Sequence, residues 1–272
     1  MTDFGTVPQR GLVLLGCGKM GSALLAGWLA RGLSPTAVHV IEPHPSVWLR
    51  GTEVSVNAAL PAHPAIVLIA VKPQMMGAAL PAIASMGGGA TLFLSIAAGT
   101  TIAAFEAVFG DDSPIVRAMP NTPAAVGQGI TAIIGNPQVT PAQMALAETL
   151  LSAVGQVVRL DHEAQMDAVT GLSGSGPAYV FHLIDCLTDA GVAQGLPPAL
   201  ALQLARATVA GAGALAMQSD ETPTQLRVNV TSPNGTTQAG LAVLMDERTG
   251  LPPLIASTVA AATGRSKELA RG

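Results

Sequence analysis

Charge is scarce in this chain of 272 residues: Asp, Glu, Lys and Arg make up 11% of it, against 49% for the apolar set. Disordered chains show the reverse balance, so an unfolded main state is excluded. Only thirteen basic residues are present and the formal net charge is −4. They form no stripe that could follow a phosphate backbone, so no nucleic-acid partner is expected. Cysteine occurs only at Cys17 and Cys186, and there is neither a CxxC pair nor a histidine cluster. That excludes a disulfide framework and leaves no metal site; both thiols read as reduced. The first apolar stretch, Leu12 to Leu15, is too short for a signal-peptide core, and a cytoplasmic location is expected. The longest stretch without charge, 73–105, would be long enough for a membrane helix. It contains Gly77, Pro81, Gly87, Gly88, Gly89 and Gly99, which break it into helix, loop, buried strand and loop, so no membrane association is expected.

At roughly 150 residues per domain, the length suggests about two domains. Thirty glycines and twenty prolines punctuate the chain without a collagen-like period, falling between apolar runs as turns. Up to residue 160, β-rich apolar runs at 11–15, 37–42, 65–71, 90–95, 115–117, 129–134 and 154–160 alternate with helical patterns at 20–31, 74–85, 101–108 and 141–151. This alternation predicts a parallel sheet covered by helices on both faces, a doubly wound α/β fold of Rossmann type over residues 1–160. From Asp161 onward the punctuation is that of helices. Pro177 and Pro197 sit at first-turn positions, and Gly191 and Gly250 at helix ends. Residues 161–272 are therefore expected to form an all-α domain. Its run 207–219 has no charge, so at least one helix is apolar nearly all round and must be buried. The remaining helices of the domain could hide it in a monomer, but a second copy of the chain, in an intertwined homodimer, is the expected cover.

The run Leu12 to Leu15 leads into Gly16-Cys17-Gly18-Lys19-Met20-Gly21, and a helical pattern follows. In that spacing Gly16 serves a tight turn, Gly18 the close approach of backbone to a pyrophosphate, and Gly21 the packing of helix on strand. The helix N-terminus then offers N–H groups to phosphates, so the motif reads as a dinucleotide site, with NAD(P)H the expected cofactor, or else as an ordinary glycine-rich turn. Glu42 ends the second strand run. It either accepts from the adenosine ribose 2′-hydroxyl, repelling a 2′-phosphate and leaning toward NADH, or is a solvated acid; Ser34, His44 or Arg50 leave a route to NADPH. Val71-Lys72-Pro73 ends another strand at the edge where nucleotides lie, either lining the nicotinamide ribose or solvated.

Four further segments stand out: Arg117-Ala118-Met119-Pro120-Asn121-Thr122-Pro123, Gly171 through Tyr179, Asn229 through Thr237, and the helical pattern Gln238 to Glu247. With the Gly16 loop and Ala70 to Gln74, they closely resemble the pyrroline-5-carboxylate reductase family, from about Gly11 to Leu269. Thr231 to Thr237 with Ala239-Gly240-Leu241 is the most specific part. Two positions depart from the family pattern: Val228 where it usually carries an acid, and Asn234 where it usually carries glycine. Asn tolerates positive φ, so the loop survives the second change.

The resemblance implies hydride reduction of a five-membered cyclic imine carboxylate to L-proline. Ser232 to Thr237 opens a helix, so the Ser232 hydroxyl and the N–H groups of Gly235 and Thr236 can gather on a carboxylate. By the same resemblance Thr237 orients the imine nitrogen and passes a proton; its alternative role is that of a helix-capping threonine. Asn57 touches the adenosine ribose by analogy or serves a turn, and Asp220 helps hold the loop. Larger rings of dimers are also compatible with the family. Arg117 reaches an anion or is a strand-end charge. Ser173 and Ser175 shape a pocket, with no histidine positioned to activate them.

Two other functions stay open. A two-domain hydroxyacid dehydrogenase of the 6-phosphogluconate type uses a lysine early in its helical domain, but lysine occurs here only at Lys19, Lys72 and Lys267. His182 and Asp185 are the substitutes such a mechanism would need. A nucleotide-binding redox sensor without turnover would not need an imine-orienting threonine.

Overall fold

The computed structural model describes residues 2–270. An eight-stranded sheet comprises β1 (Leu12–Leu15), β2 (Val38–Ile41), β3 (Ser55–Val56), β4 (Ile66–Ile69), β5 (Leu92–Ser95), β6 (Ile115–Met119), β7 (Gly129–Gly135) and β8 (Gly155–Arg159). The order is β3-β2-β1-β4-β5-β6-β7-β8, which reverses between β1 and β4. In doubly wound sheets ligands lie at that reversal, beyond the carboxyl ends of the strands. Neighbouring strands are parallel except β6 and β7, which run antiparallel with Arg117 opposite Ile134. The all-parallel expectation thus fails at one pair: the loop Thr122–Val126 is a tight 3₁₀ turn, too short for a parallel crossover.

The central strands β1, β4 and β5 are continuous, almost wholly apolar runs because both faces are covered. Leu12 and Leu14 of β1 face one core cluster, Val13 and Leu15 the other. The longer helices are α1 (Lys19–Ala30), α2 (Ile102–Phe109), α3 (Pro141–Leu151), α4 (Gly176–Ala193), α5 (Pro198–Gln218), α6 (Pro223–Asn229), α7 (Thr236–Leu244) and α8 (Leu251–Leu269). α1 packs Leu24, Leu25 and Trp28 into the first cluster, and Trp28 Nε1 donates to the Leu150 carbonyl at 2.8 Å. On the other face Phe93 and Phe109 stack with ring centroids 3.8 Å apart. α3 starts on a reciprocal cap: the Gln143 amide donates to Thr140 Oγ1 and the Thr140 amide to Gln143 Oε1. The helix expected at 74–85 is instead a series of short helical turns, interrupted at Pro81, whose ring removes a donor.

The chain divides into two compact units, 1–174 with 262–272, and 175–261. The units divide after residue 174, beyond the expected 160/161, because the helical turns that follow β8 are tied to the first unit. Glu163 pairs with buried Arg117 at 2.7 Å and accepts the Ile102 N–H that opens α2, while Ser266 Oγ near the C-terminus donates to Asp167 at 2.7 Å. In the second unit every described element is helical. α4 and α5 approach closely, since a Cβ on Gly191 would lie 3.2 Å from that of Ala201. Only Ala201, Ala205 and Gly250 are buried there. α5 is long and apolar enough by length and composition to cross a membrane, and 11% of that apolar window is buried in the single chain.

Candidate active site

The glycine loop sits between β1 and α1 at the strand-order reversal. Gly16 has φ +90°, and a Cβ there would lie 2.9 Å from the Ala70 carbonyl and from Val71 Cγ1, so no other residue fits. Gly18 borders open space: a Cβ would meet nothing within 4 Å. Gly21 presses on the Gly16 carbonyl, where a Cβ would stand at 2.5 Å. α1 begins at Lys19 with no side-chain cap, so the amides of Lys19, Met20 and Gly21 remain for an anion. Open backbone, uncapped helix and positive dipole end fit a pyrophosphate.

Glu42 is tied into this loop. Its Oε2 accepts the Cys17 N–H at 2.8 Å and its Oε1 the His44 N–H at 3.0 Å. Asn57, at φ 52°, accepts the Glu42 N–H on Oδ1 and donates Nδ2 to the Glu42 carbonyl, so it anchors the Glu42 backbone. Burial, and then the neighbouring Glu42 carboxylate, push the Cys17 thiol up to about 11. Beyond the strand ends lies a cavity of about 300 Å³ lined among others by Met20, Val71, Lys72, Pro73, Met119 and Asn121. Lys72 is exposed there and makes no ion pair among the described residues. Arg117 does not face an incoming anion; it is buried and paired with Glu163.

In the second unit the loop before α7 is built from turns. The Gly235 N–H donates to the Ser232 carbonyl at 3.1 Å, and a Cβ on Gly235 would collide with Ser232 Oγ. Asn234 adopts φ 57°, the left-handed conformation anticipated for a residue standing in for glycine. Gly235 is the N-cap, without a side-chain cap. Thr237, the second helical residue, therefore does not cap the helix, and its side chain is exposed beside the Thr236 and Thr237 amides at the open helix start. Gln238 instead accepts the Asn234 N–H at 2.6 Å. The segment leading in is braced by Glu221, which accepts from Asn229 Nδ2 at 2.9 Å, and by Thr231 Oγ1, which donates to the Arg227 carbonyl. The bracing acid is Glu221, one residue beyond the expected Asp220, which makes no such bond.

Residues 163–269 match the family model described as pyrroline-5-carboxylate reductase dimerisation, and residues 11–99 match one described as NADP oxidoreductase, coenzyme F420-dependent. The chain is 45% identical to a pyrroline-5-carboxylate reductase of Synechocystis, covering 96% of this chain and 98% of that one. The chain belongs to the pyrroline-5-carboxylate reductase family. Another member, from Pseudomonas aeruginosa, is 41% identical over 95% of this chain and 96% of its own length. A solved pyrroline-5-carboxylate reductase from Coxiella burnetii superposes with TM-score 0.89 at 32% identity, covering 96% of this chain and 98% of that one. One from Plasmodium falciparum, solved with NADP bound, gives 0.82 at 30% identity, covering 97% and 99%. As in other pyrroline-5-carboxylate reductases, the chemistry expected is that of an NAD(P)-dependent oxidoreductase.

Gln238, Glu221 and Glu163 are the residues that sequence reasoning passed over. Gln238 carried a usable signal, being four positions after Asn234 at a helix start.

Proposed function

We propose that this chain reduces 1-pyrroline-5-carboxylate to L-proline with NAD(P)H, the first unit holding the nucleotide and the second receiving the imine carboxylate. The observation that carries the reading is the glycine loop, open at Gly18 and closed to any side chain at Gly16. When bound, the nicotinamide supplies the hydride. The loop from Gly16 to Gly21 cradles the pyrophosphate and offers it the N–H groups of Lys19, Met20 and Gly21 at the open helix start, while the Gly16 and Cys17 N–H groups go to the Ile41 carbonyl and Glu42; Val71, Lys72 and Pro73 border the nicotinamide end. In the second unit the Ser232 hydroxyl and the Thr236 and Thr237 amides receive the substrate carboxylate, as a helix N-terminus favours an anion. The Gly235 N–H, turned to Ser232, shapes the loop. The Thr237 hydroxyl meets the ring nitrogen, orienting the iminium so that its carbon accepts hydride while the nitrogen keeps its proton. No strong base is required, and orientation supplies most of the rate.

The finer nucleotide preference follows from Glu42. Two backbone N–H groups hold its carboxylate at the end of β2, where a 2′-phosphate would meet like charge. Arg50 does not offset it: its guanidinium turns back on the Pro45 carbonyl at 2.9 and 3.2 Å. Ser34 is likewise engaged, with Thr36 at 2.8 Å. NADH is therefore the preferred reductant, and Glu42→Ser shifts the ratio of specificity constants toward NADPH by about tenfold, the worth of ~1.4 kcal/mol. An unchanged ratio would show that the acid reads nothing.

The apolar outer faces of α4 and α5 suit a second copy of the chain better than lipid. Val180, Phe181, Leu204 and Leu215 are spread among polar neighbours such as His182, Asp185 and Arg206. A homodimer through these helices, assembling further into rings and residing in the cytoplasm, completes the reading. The test is loss of the near-ultraviolet absorbance of NADH and NADPH with the pyrroline carboxylate, matched to proline formed. Nucleotide binding without turnover would instead indicate a redox sensor, and turnover of hydroxyacids the 6-phosphogluconate-type alternative.

A further inference from the structure

One wall of the first unit's cavity carries no side chain. Gly174 ends the π-helical turn Thr170–Gly174 and lines the cavity together with Met119, the last residue of β6. Such turns are rare and gather at functional sites. The backbone of Gly174 does not require glycine, since its φ is not positive. What the missing side chain leaves is room for a neighbour. A Cβ built there would collide with Met119 Cε, whereas its next neighbours, Met119 Cγ and Thr170 Cγ2, stand at 3.8 Å. Glycine at this position is therefore explained by one thioether.

Met119 cannot move its main chain to compensate, because β6 is fixed in register against β7, with Met119 opposite Ala132. Its unbranched side chain can move, since methionine turns about three single bonds at little cost. It already borders the cavity, so that space is open to the methyl displaced from Gly174. The cavity is only about 300 Å³, at the lower end of ligand pockets, where a methyl-sized intrusion is felt.

We propose that Gly174 is a specificity-determining position: by lacking a side chain it parks the Met119 thioether against the π turn and sets the width available to the nicotinamide end of the nucleotide. The proposal rests on the reading of this cavity as the nicotinamide pocket. The test is a thermodynamic cycle of Gly174→Ala and Met119→Ala, titrated with NADH and with ADP-ribose, which keeps the pyrophosphate but lacks the nicotinamide. The expected result is that Gly174→Ala weakens NADH about tenfold, as overpacking does, and leaves ADP-ribose unchanged. In the Met119→Ala background the same substitution costs nothing. An equal penalty in both backgrounds, wild-type affinity in the Gly174→Ala variant, or equal weakening of ADP-ribose would overturn the proposal while leaving the cofactor reading standing. Wild-type protein that binds ADP-ribose and NADH equally would instead overturn the pocket reading beneath it.

Discussion

The two units of this chain solve the problem of apolar surface in opposite ways. The first hides Leu12, Leu14, Leu24, Trp28, Phe93 and Phe105 between its sheet and helices. The second, equally apolar in sequence, buries only Ala201, Ala205 and Gly250 and leaves Phe181 60% and Leu215 54% exposed. A parallel sheet covers itself because each crossover returns a helix to its face. A short set of helices has no such guarantee, and its apolar faces become assembly surface. The lesson is that similar hydrophobicity can mean a finished core in one half and half of an interface in the other.

That contrast can be broken by substitutions on each side. Trp28→Ala removes a fully buried ring and its bond to the Leu150 carbonyl, and is expected to cost ~3–5 kcal/mol in denaturant unfolding. Sedimentation under native conditions should show the assembly state unchanged; dissociation without loss of stability would reverse the assignment. Leu204→Glu acts on the other side, at a residue 48% exposed in the single chain. It is expected to weaken self-association by on the order of 2–3 kcal/mol, about the worth of a buried leucine, with nucleotide binding retained. An unaltered sedimentation profile on dilution would show that this face has no partner. Thr237→Ala sharpens the comparison at the level of chemistry. The side chain is exposed and caps nothing, so the expectation is unchanged melting with turnover ten- to a hundredfold lower, about 1.4–2.8 kcal/mol of barrier. A wild-type rate constant would remove Thr237 from the mechanism.

How much of this was legible depended on whether a feature is local. The helix Pro141–Leu151 could be read to the residue because Thr140, Pro141 and Gln143 fix its start within four positions. The doubly wound alternation and the glycine loop were legible for the same reason. The two-residue strand Ser55–Val56 was not, being shorter than any period. Nor was the reversed direction of β7, since alternation does not encode strand polarity. The bond from the Cys17 amide to Glu42 joins residues 25 apart. Arg117 and Glu163 are 46 apart, and nothing short of the fold announces that pair. In the loop before α7 the left-handed Asn234 was legible, whereas the bracing acid is Glu221 and not the expected Asp220. Two adjacent acids are indistinguishable until a helix fixes which one points back at Asn229.

The sulfur of Cys17 lies buried in the glycine loop, and that burial, with the Glu42 carboxylate beside it, pushes its thiol up to about 11, so it stays protonated near neutrality. Peroxides and electrophilic metabolites attack the ionised form. Held as the neutral thiol, Cys17 is a poor nucleophile, so the turn it belongs to is expected to react slowly with oxidants and electrophiles at this position.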